Sequence, residues 1–281
     1  NEDYKSRDYF KKAIEINPNY VDAHNNIAIA FKALEEHYKA ISHYEKVLQI
    51  DHGNIHAINS LSALLGLYKV DHNSEADKTN FKKLILLLFK KNDIKPIHLA
   101  KNARLLLLSD NESRNLLKII NSESSLLSNE VVKKLLKEEL FYLILQKSLF
   151  ADIFWEKLLN KLRSEILFNL ENSNKNILNE FLFFIISLAE QCWLNEYIYT
   201  QSEEEINLVN NLKDKIEKDK KINELEIAIL GCYIPLNTLK SMTKKLLNYK
   251  STNILFNDLI TLQITEPLNE KKLVKSIKSL D

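Results

Sequence analysis

Few residues in this 281-residue chain carry obvious chemistry. Six of its seven histidines precede residue 73. His52 and His56 lie four apart, a spacing that can present two imidazoles to one metal from a helix. No third ligand stands near them, so solvated surface histidines are the plainer reading. Arg104 stands before the apolar run 105–108. It is either an anion contact or, as the run favours, a charge closing an apolar helix. Glu138 and Glu139 are adjacent carboxylates without a visible partner, which reads as a solvated helix face. Cys192 and Cys232 stand singly, which fits a reducing compartment better than a disulfide framework. Gly53, Gly66 and Gly231 are too scattered for a Gly-rich turn whose backbone N–H groups reach a phosphate. There is no G-x-S-x-G and no C-x-x-C. No catalytic, cofactor-binding or metal residue is assigned, and a self-sufficient enzyme has little support.

The elements that must position any site are helical. Three glycines and four prolines are too few for a turn-rich strand protein. Apolar spacing predicts helices over 3–16, 21–34, 37–50 and 55–68, then 81–91, 97–108, 112–120, 129–146 and 152–170. It continues with 177–199, 203–221, 224–233, 239–247, 254–262 and 271–280. The helix over 177–199 is the most hydrophobic, as expected of a central one. The helix opening at Glu203 has Ser202 and Glu205 at capping-box spacing, with acids at its start and lysines at its end.

Net charge is +1, from 39 basic and 38 acidic residues, so no global field favours nucleic acid. The strongest apolar run, 181–189, is too short to span a bilayer, and no secretory signal opens the chain. A cytoplasmic protein without nucleic-acid or membrane partners is expected.

A self-similarity at 34 residues marks the start. Phe10, Ala13, Ile14 and Ile16 recur as Tyr44, Val47, Leu48 and Ile50. His24, Ile27, Ala28 and Phe31 recur as Ile58, Leu61, Ser62 and Leu65. Pro18 is matched by His52, where Gly53 can supply the turn. The period resembles tetratricopeptide repeats, stacked helix pairs that usually bind other chains. The fold class is therefore all-α, with such repeats over 1–70 stacked on a larger multi-helix domain over 71–281. The polar stretch 71–77 reads as the boundary. The first repeat lacks its first helix, which predicts at least half a repeat upstream. By this resemblance a peptide groove is lined by Asp22, Asn25, Asn26 and Ile29, then by His56, Asn59, Ser60 and Ala63. Asparagine amides can both donate to and accept from an extended backbone. The basic cluster that grips acidic C-termini in some arrays is missing, since only Lys32 approaches the face.

A second run is less generic. It reads Gln191, Cys192, Trp193, Leu194, Asn195, Glu196, Tyr197, Ile198 and Tyr199, followed by Tyr233-Ile234-Pro235 and by Gln263 to Glu266-Pro267. Their order and spacing resemble the helical region of bacterial proteins that fuse tetratricopeptide repeats to a class I S-adenosylmethionine-dependent methyltransferase. The resemblance implies a non-catalytic, substrate-recruiting region with its methyltransferase domain following in cis. It implies no S-adenosylmethionine site in this segment. A helix through 191–199 would put Gln191, Asn195 and Tyr199 on one face. With Glu196, these either bond neighbouring loops or line a cleft against that domain. The alternative function is a stand-alone scaffold binding proteins through its repeats.

Overall fold

The computed structural model describes residues 2–67, 75–91, 96–122, 124–150, 152–172, 175–219 and 221–278. Its regular structure is helical, with no strand among the described residues. Two compact units divide the chain, Asn1–Leu107 and Leu108–Asp281.

The first unit opens with α1 (Glu2–Ile16), α2 (Val21–Ala33), α3 (His37–Ile50) and α4 (Ile55–Leu67), each packed on the next. Apolar residues at three- and four-residue spacing explain the stack. Ala23, Ile27, Ala28 and Phe31 of α2 are buried, as are Ala40, Tyr44, Val47 and Leu48 of α3. Ala28 and Ala40 are fully covered, and their small side chains let the helices approach. Then come α5 (Glu75–Phe89) and α6 (Pro96–Leu107), and α4 packs on both. The unit therefore extends past residue 70, where the sequence suggested a boundary. Of the polar stretch read as that boundary, 71–74 lie outside the described residues and 75–77 already belong to α5. Asn102 of α6 is buried and donates to the carbonyls of Leu65 (2.6 Å) and Gly66 (3.2 Å), closing the end of α4.

The second unit contains α7 (Asp110–Ile120), α8 (Glu130–Leu135), α9 (Glu139–Lys147), α10 (Ile153–Glu171), α11 (Lys175–Glu180) and α12 (Leu182–Leu194). It continues with α13 (Glu203–Lys218), α14 (Glu224–Gly231), a 3₁₀ turn (Leu236–Thr238), α15 (Thr243–Asn248), α16 (Ile254–Ile260), a π segment (Thr261–Thr265) and α17 (Glu266–Lys278). The hydrophobic α12 is central: it packs on α9, α14 and α16, and every residue from Phe184 to Cys192 is buried. Phe141 of α9 stacks on Phe184 and meets Trp155 of α10.

Two long predicted helices are broken and a short one is trimmed at its start. The one over 129–146 divides at Leu136–Glu138, where the Tyr142 hydroxyl donates to the Leu136 carbonyl. Glu138 and Glu139 thus open α9, where carboxylates suit the helix dipole, rather than lying on a mid-helix face. The one over 177–199 breaks at Phe181 and stops at Leu194. The one over 239–247 holds only Thr243–Asn248 as α-helix. Conversely, 254–262 and 271–278 are joined, residues 279–280 lying outside the described ones. The π segment absorbs Pro267, whose ring would meet the carbonyl four residues back in a regular helix. There the Glu266 N–H bonds the Thr261 carbonyl, five residues back.

Candidate functional site

Along α2, the groove residues alternate with the buried stripe. Asp22, Asn26 and Ile29 are exposed and Asn25 is half-buried. Along α4, His56 and Asn59 are exposed, while Ser60 and Ala63 are half-buried. Ile29 is the apolar feature of the α2 set, 56% exposed.

The two helices are wired together at one point. Asn25 Nδ2 donates to Asn54 Oδ1 at 3.5 Å, and the same oxygen accepts the Ala57 N–H at 3.0 Å. Asn54 thereby caps α4 and receives α2. Asp51 supports it, accepting from Gly53 N–H and Asn54 Nδ2, both at 3.1 Å. Gly53 keeps an ordinary φ and has room for a side chain, so the turn depends on Asp51, not on glycine's freedom. Asn26 Nδ2 turns back to the Asp22 carbonyl at 2.8 Å. Asn25 Oδ1 is buried and has no hydrogen-bond donor among the described residues. An acceptor left this way costs about 1–3 kcal/mol until a donor reaches it.

His52 lies in the exposed turn, and its carbonyl accepts from Lys91 Nζ. Among the described residues, no group of three or more His, Cys, Asp or Glu could hold a metal. The histidines that meet are His24 and His43, a pair the sequence reading missed. His24 Nε2 faces the Pro18 carbonyl at 3.0 Å, an acceptor only, so it carries the proton. His24 Nδ1 must then accept from His43 Nδ1–H at 2.9 Å. Burial, then the His24 and Lys11 charges, push the His43 imidazole down to about 4. His43 also stacks on Phe31, so the pair fastens α3 to α2.

Residues 21–54 match the family model of the tetratricopeptide repeat. The match covers α2, the turn, α3 and the residue that caps α4. No curated protein and no solved structure matches the chain. Repeats of this kind generally mediate protein–protein interaction, and the stacked helices α1 to α4 fit that architecture.

The second candidate set does not share one helix face. Asn195 is the C-cap of α12, and Glu196 and Tyr197 adopt left-handed φ values of 55° and 59°. The Tyr197 N–H returns to the Cys192 carbonyl and the Glu196 N–H to that of Trp193, a Schellman closure. Asn195 Oδ1 also accepts the Tyr197 N–H. The repeat ends α2 the same way: Glu35 has φ 59°, and the Glu36 N–H reaches the Phe31 carbonyl. Gln191 is fully buried, and its amide, oriented to satisfy both atoms, donates to Leu145 and Ser148 carbonyls at 3.0 and 2.8 Å. Gln191 and Asn195 thus serve α9 and the turn. Glu196 is exposed and Tyr199 is buried.

Tyr199 belongs to a cluster that spacing gave no sign of. Arg163 of α10, 1% exposed, lies over the rings of Tyr233 (4.4 Å) and Tyr199 (5.3 Å). Its Nη2 donates to Asn160 Oδ1 and to the Thr200 carbonyl. The Tyr233 hydroxyl lies 2.9 Å from Glu205 Oε1, and Glu205 completes a capping box with Ser202. Burial raises the Tyr233 hydroxyl above its ordinary range. The guanidinium is thus held by the two ring faces and the Asn160 and Thr200 oxygens, while its Nε and Nη1 have no hydrogen-bond partner among the described residues, an arrangement suited to fixing α10, α13 and α14. Among the described residues, no helix is long and apolar enough to cross a membrane.

Proposed function

We propose that this chain is a protein-interaction module that binds an extended segment of a partner across α2 and α4. The unpaired Asn25 Oδ1 carries this reading. It is a buried acceptor on the helix that also presents exposed Asn26 and Ile29, and a turn of the Asn25 side chain away from its 3.5 Å bond to Asn54 would offer it to a peptide N–H. Ile29 supplies apolar contact and Asn59 a second amide. The test begins with peptides selected from a random library on the immobilised 281-residue protein. Binding is then read by fluorescence anisotropy. Asn25→Ala and Ile29→Asp should each weaken binding at least tenfold while leaving the far-UV spectrum unchanged. Equal binding by Ile29→Asp would defeat the reading.

The resemblance at 191–199 and at Glu266-Pro267 supports a finer version. In it, the module recruits substrate for an S-adenosylmethionine-dependent methyltransferase domain that follows in the same polypeptide. Calorimetry with S-adenosylmethionine tests it. Binding to the full gene product but not to residues 1–281 is expected. Binding to neither leaves the stand-alone scaffold as the function.

A further inference from the structure

The second unit carries two exposed surfaces of opposite charge. In α17, every residue from Asn269 to Ile277 is exposed, which covers all sides of the helix beyond the π segment on which it packs. After Glu270, the stretch 271–277 reads Lys-Lys-Leu-Val-Lys-Ser-Ile, with no acid. Leu273 and Val274 each stand one turn before Ile277, so the three share a face. Leu273 and Ile277 are each 62% exposed, and Val274 51%. Lys271, one turn before Val274, borders that face. Lys271, Lys272 and Lys275 make no ion pair among the described residues. The stretch 194–206 is the reverse. It holds Glu196, Glu203, Glu204 and Glu205 and no Lys or Arg. Glu196, Glu203 and Glu204 are exposed and likewise without an ion pair among the described residues. Between them stand exposed Leu194, Ile198 (65%) and Ile206 (46%). The stretch is fixed in place by the helix closure after Leu194, by the bonds of Asn160 and Arg163 to Thr200, and by the capping box at Ser202. A surface ordered in advance loses little freedom on binding.

We propose that this chain pairs with a second copy of itself, the Lys271–Ile277 face of one copy seated on the 194–206 surface of the other. Each half supplies what the other lacks. Leucine, valine and isoleucine meet leucine and isoleucine, and unpaired lysines meet unpaired glutamates, which set partner and orientation. Each copy carries both halves, so a two-fold pair makes the contact twice. A lipid surface suits the α17 face less well. Its grip scales with buried apolar area, here three side chains, and it leaves the acidic half unused.

Sedimentation of the 281-residue protein over a range of concentrations tests this. Reversible self-association is expected, weakening at least tenfold from low to high salt. Ile277→Asp and Ile198→Asp should each weaken it at least tenfold while leaving the far-UV spectrum unchanged. Lys271→Glu with Lys275→Glu should weaken it too, as should Glu196→Lys with Glu204→Lys. All four changes on one chain should restore it, a result that misfolding does not produce. A monomer at every concentration would overturn the proposal. So would association indifferent to either isoleucine variant, or failure of the combined variant to associate. Binding of the monomer to vesicles of equal parts phosphatidylserine and phosphatidylcholine, lost in Ile277→Asp, would overturn it as well, since lipid would then be the occupant of the α17 face.

Discussion

Glu190 sits almost wholly buried in the middle of α12. Burial pushes its carboxyl up to about 8; a Gln146 hydrogen bond opposes this and the Asp258 charge adds to it. An unfolded glutamate titrates near 4.3. The folded state therefore holds the proton more tightly between the two values. Stability associated with this group is full at acid pH and is lost as pH rises from about 4.5 to about 8. The shift corresponds to on the order of 5 kcal/mol. Glu190→Gln should flatten this slope, so that urea midpoints at pH 5 and pH 8 converge. His43 acts with the opposite sign. Its folded value near 4 lies below the ordinary 6.5, so its contribution is present above 6.5 and is lost as pH falls toward 4. Backbone strain gives a third expectation. Glu35 and Glu196 occupy left-handed positions that glycine takes without steric cost. Glu196→Gly should stabilise the second unit by about 0.5–1 kcal/mol in denaturant titration.

At the scale of elements, single side chains close the joints. Gln263, fully buried in the π segment, donates to the carbonyls of Ala189 (3.0 Å) and Gly231 (3.3 Å) and accepts the Leu236 N–H (3.2 Å). One amide thus serves α12, α14 and the 3₁₀ turn. Gly231 lets them close in, because a Cβ there would meet that of Ala189 at 3.3 Å. Gln263→Leu strands three backbone groups and should destabilise the unit by about 2–4 kcal/mol, measured by chemical denaturation. α10 clamps the loop after α7 similarly: Lys161 donates to the Ile119 and Ser122 carbonyls, and Glu165 accepts the Leu126 and Leu127 N–H groups. These joints also mark what periodicity can and cannot convey. The first four helices were legible nearly to the residue because each repeats a buried stripe at helical spacing. The capping box at Ser202 was legible because its partners are three residues apart. The stop after Leu194 was not: its turn uses Glu and Tyr in left-handed conformations, where a reader expects glycine. The Arg163–Tyr233 and Gln263 networks join residues too distant in sequence for any local pattern. The candidate binding residues were legible as exposed positions of α2 and α4, but Asn25's bond to Asn54 needed the fold.

Across the whole molecule, His43 and Glu190 give the two units opposite pH dependences. Acidification through His43 weakens the first, while alkalinity through Glu190 weakens the second. Glu226 of the second unit acts in a separate window. Burial pushes its carboxyl up, but hydrogen bonds from Lys175 and Lys215 outweigh this and hold it low, so its contribution fades only as pH drops below about 4.5. Melts near pH 5 should therefore lose the first unit before the second, with the order closing or reversing near pH 8. Hydrogen exchange resolved by segment checks this.

The packing of Trp155 against Phe141 has an optical consequence. Both tryptophans of the chain, Trp155 and Trp193, lie beyond Leu107. Indole emission excited at the red edge of its absorption is therefore blind to the repeats, while their helices contribute fully to circular dichroism. The chain carries a natural two-colour readout, and the loss of ellipticity without a change in indole emission would be the signature of the first unit opening alone.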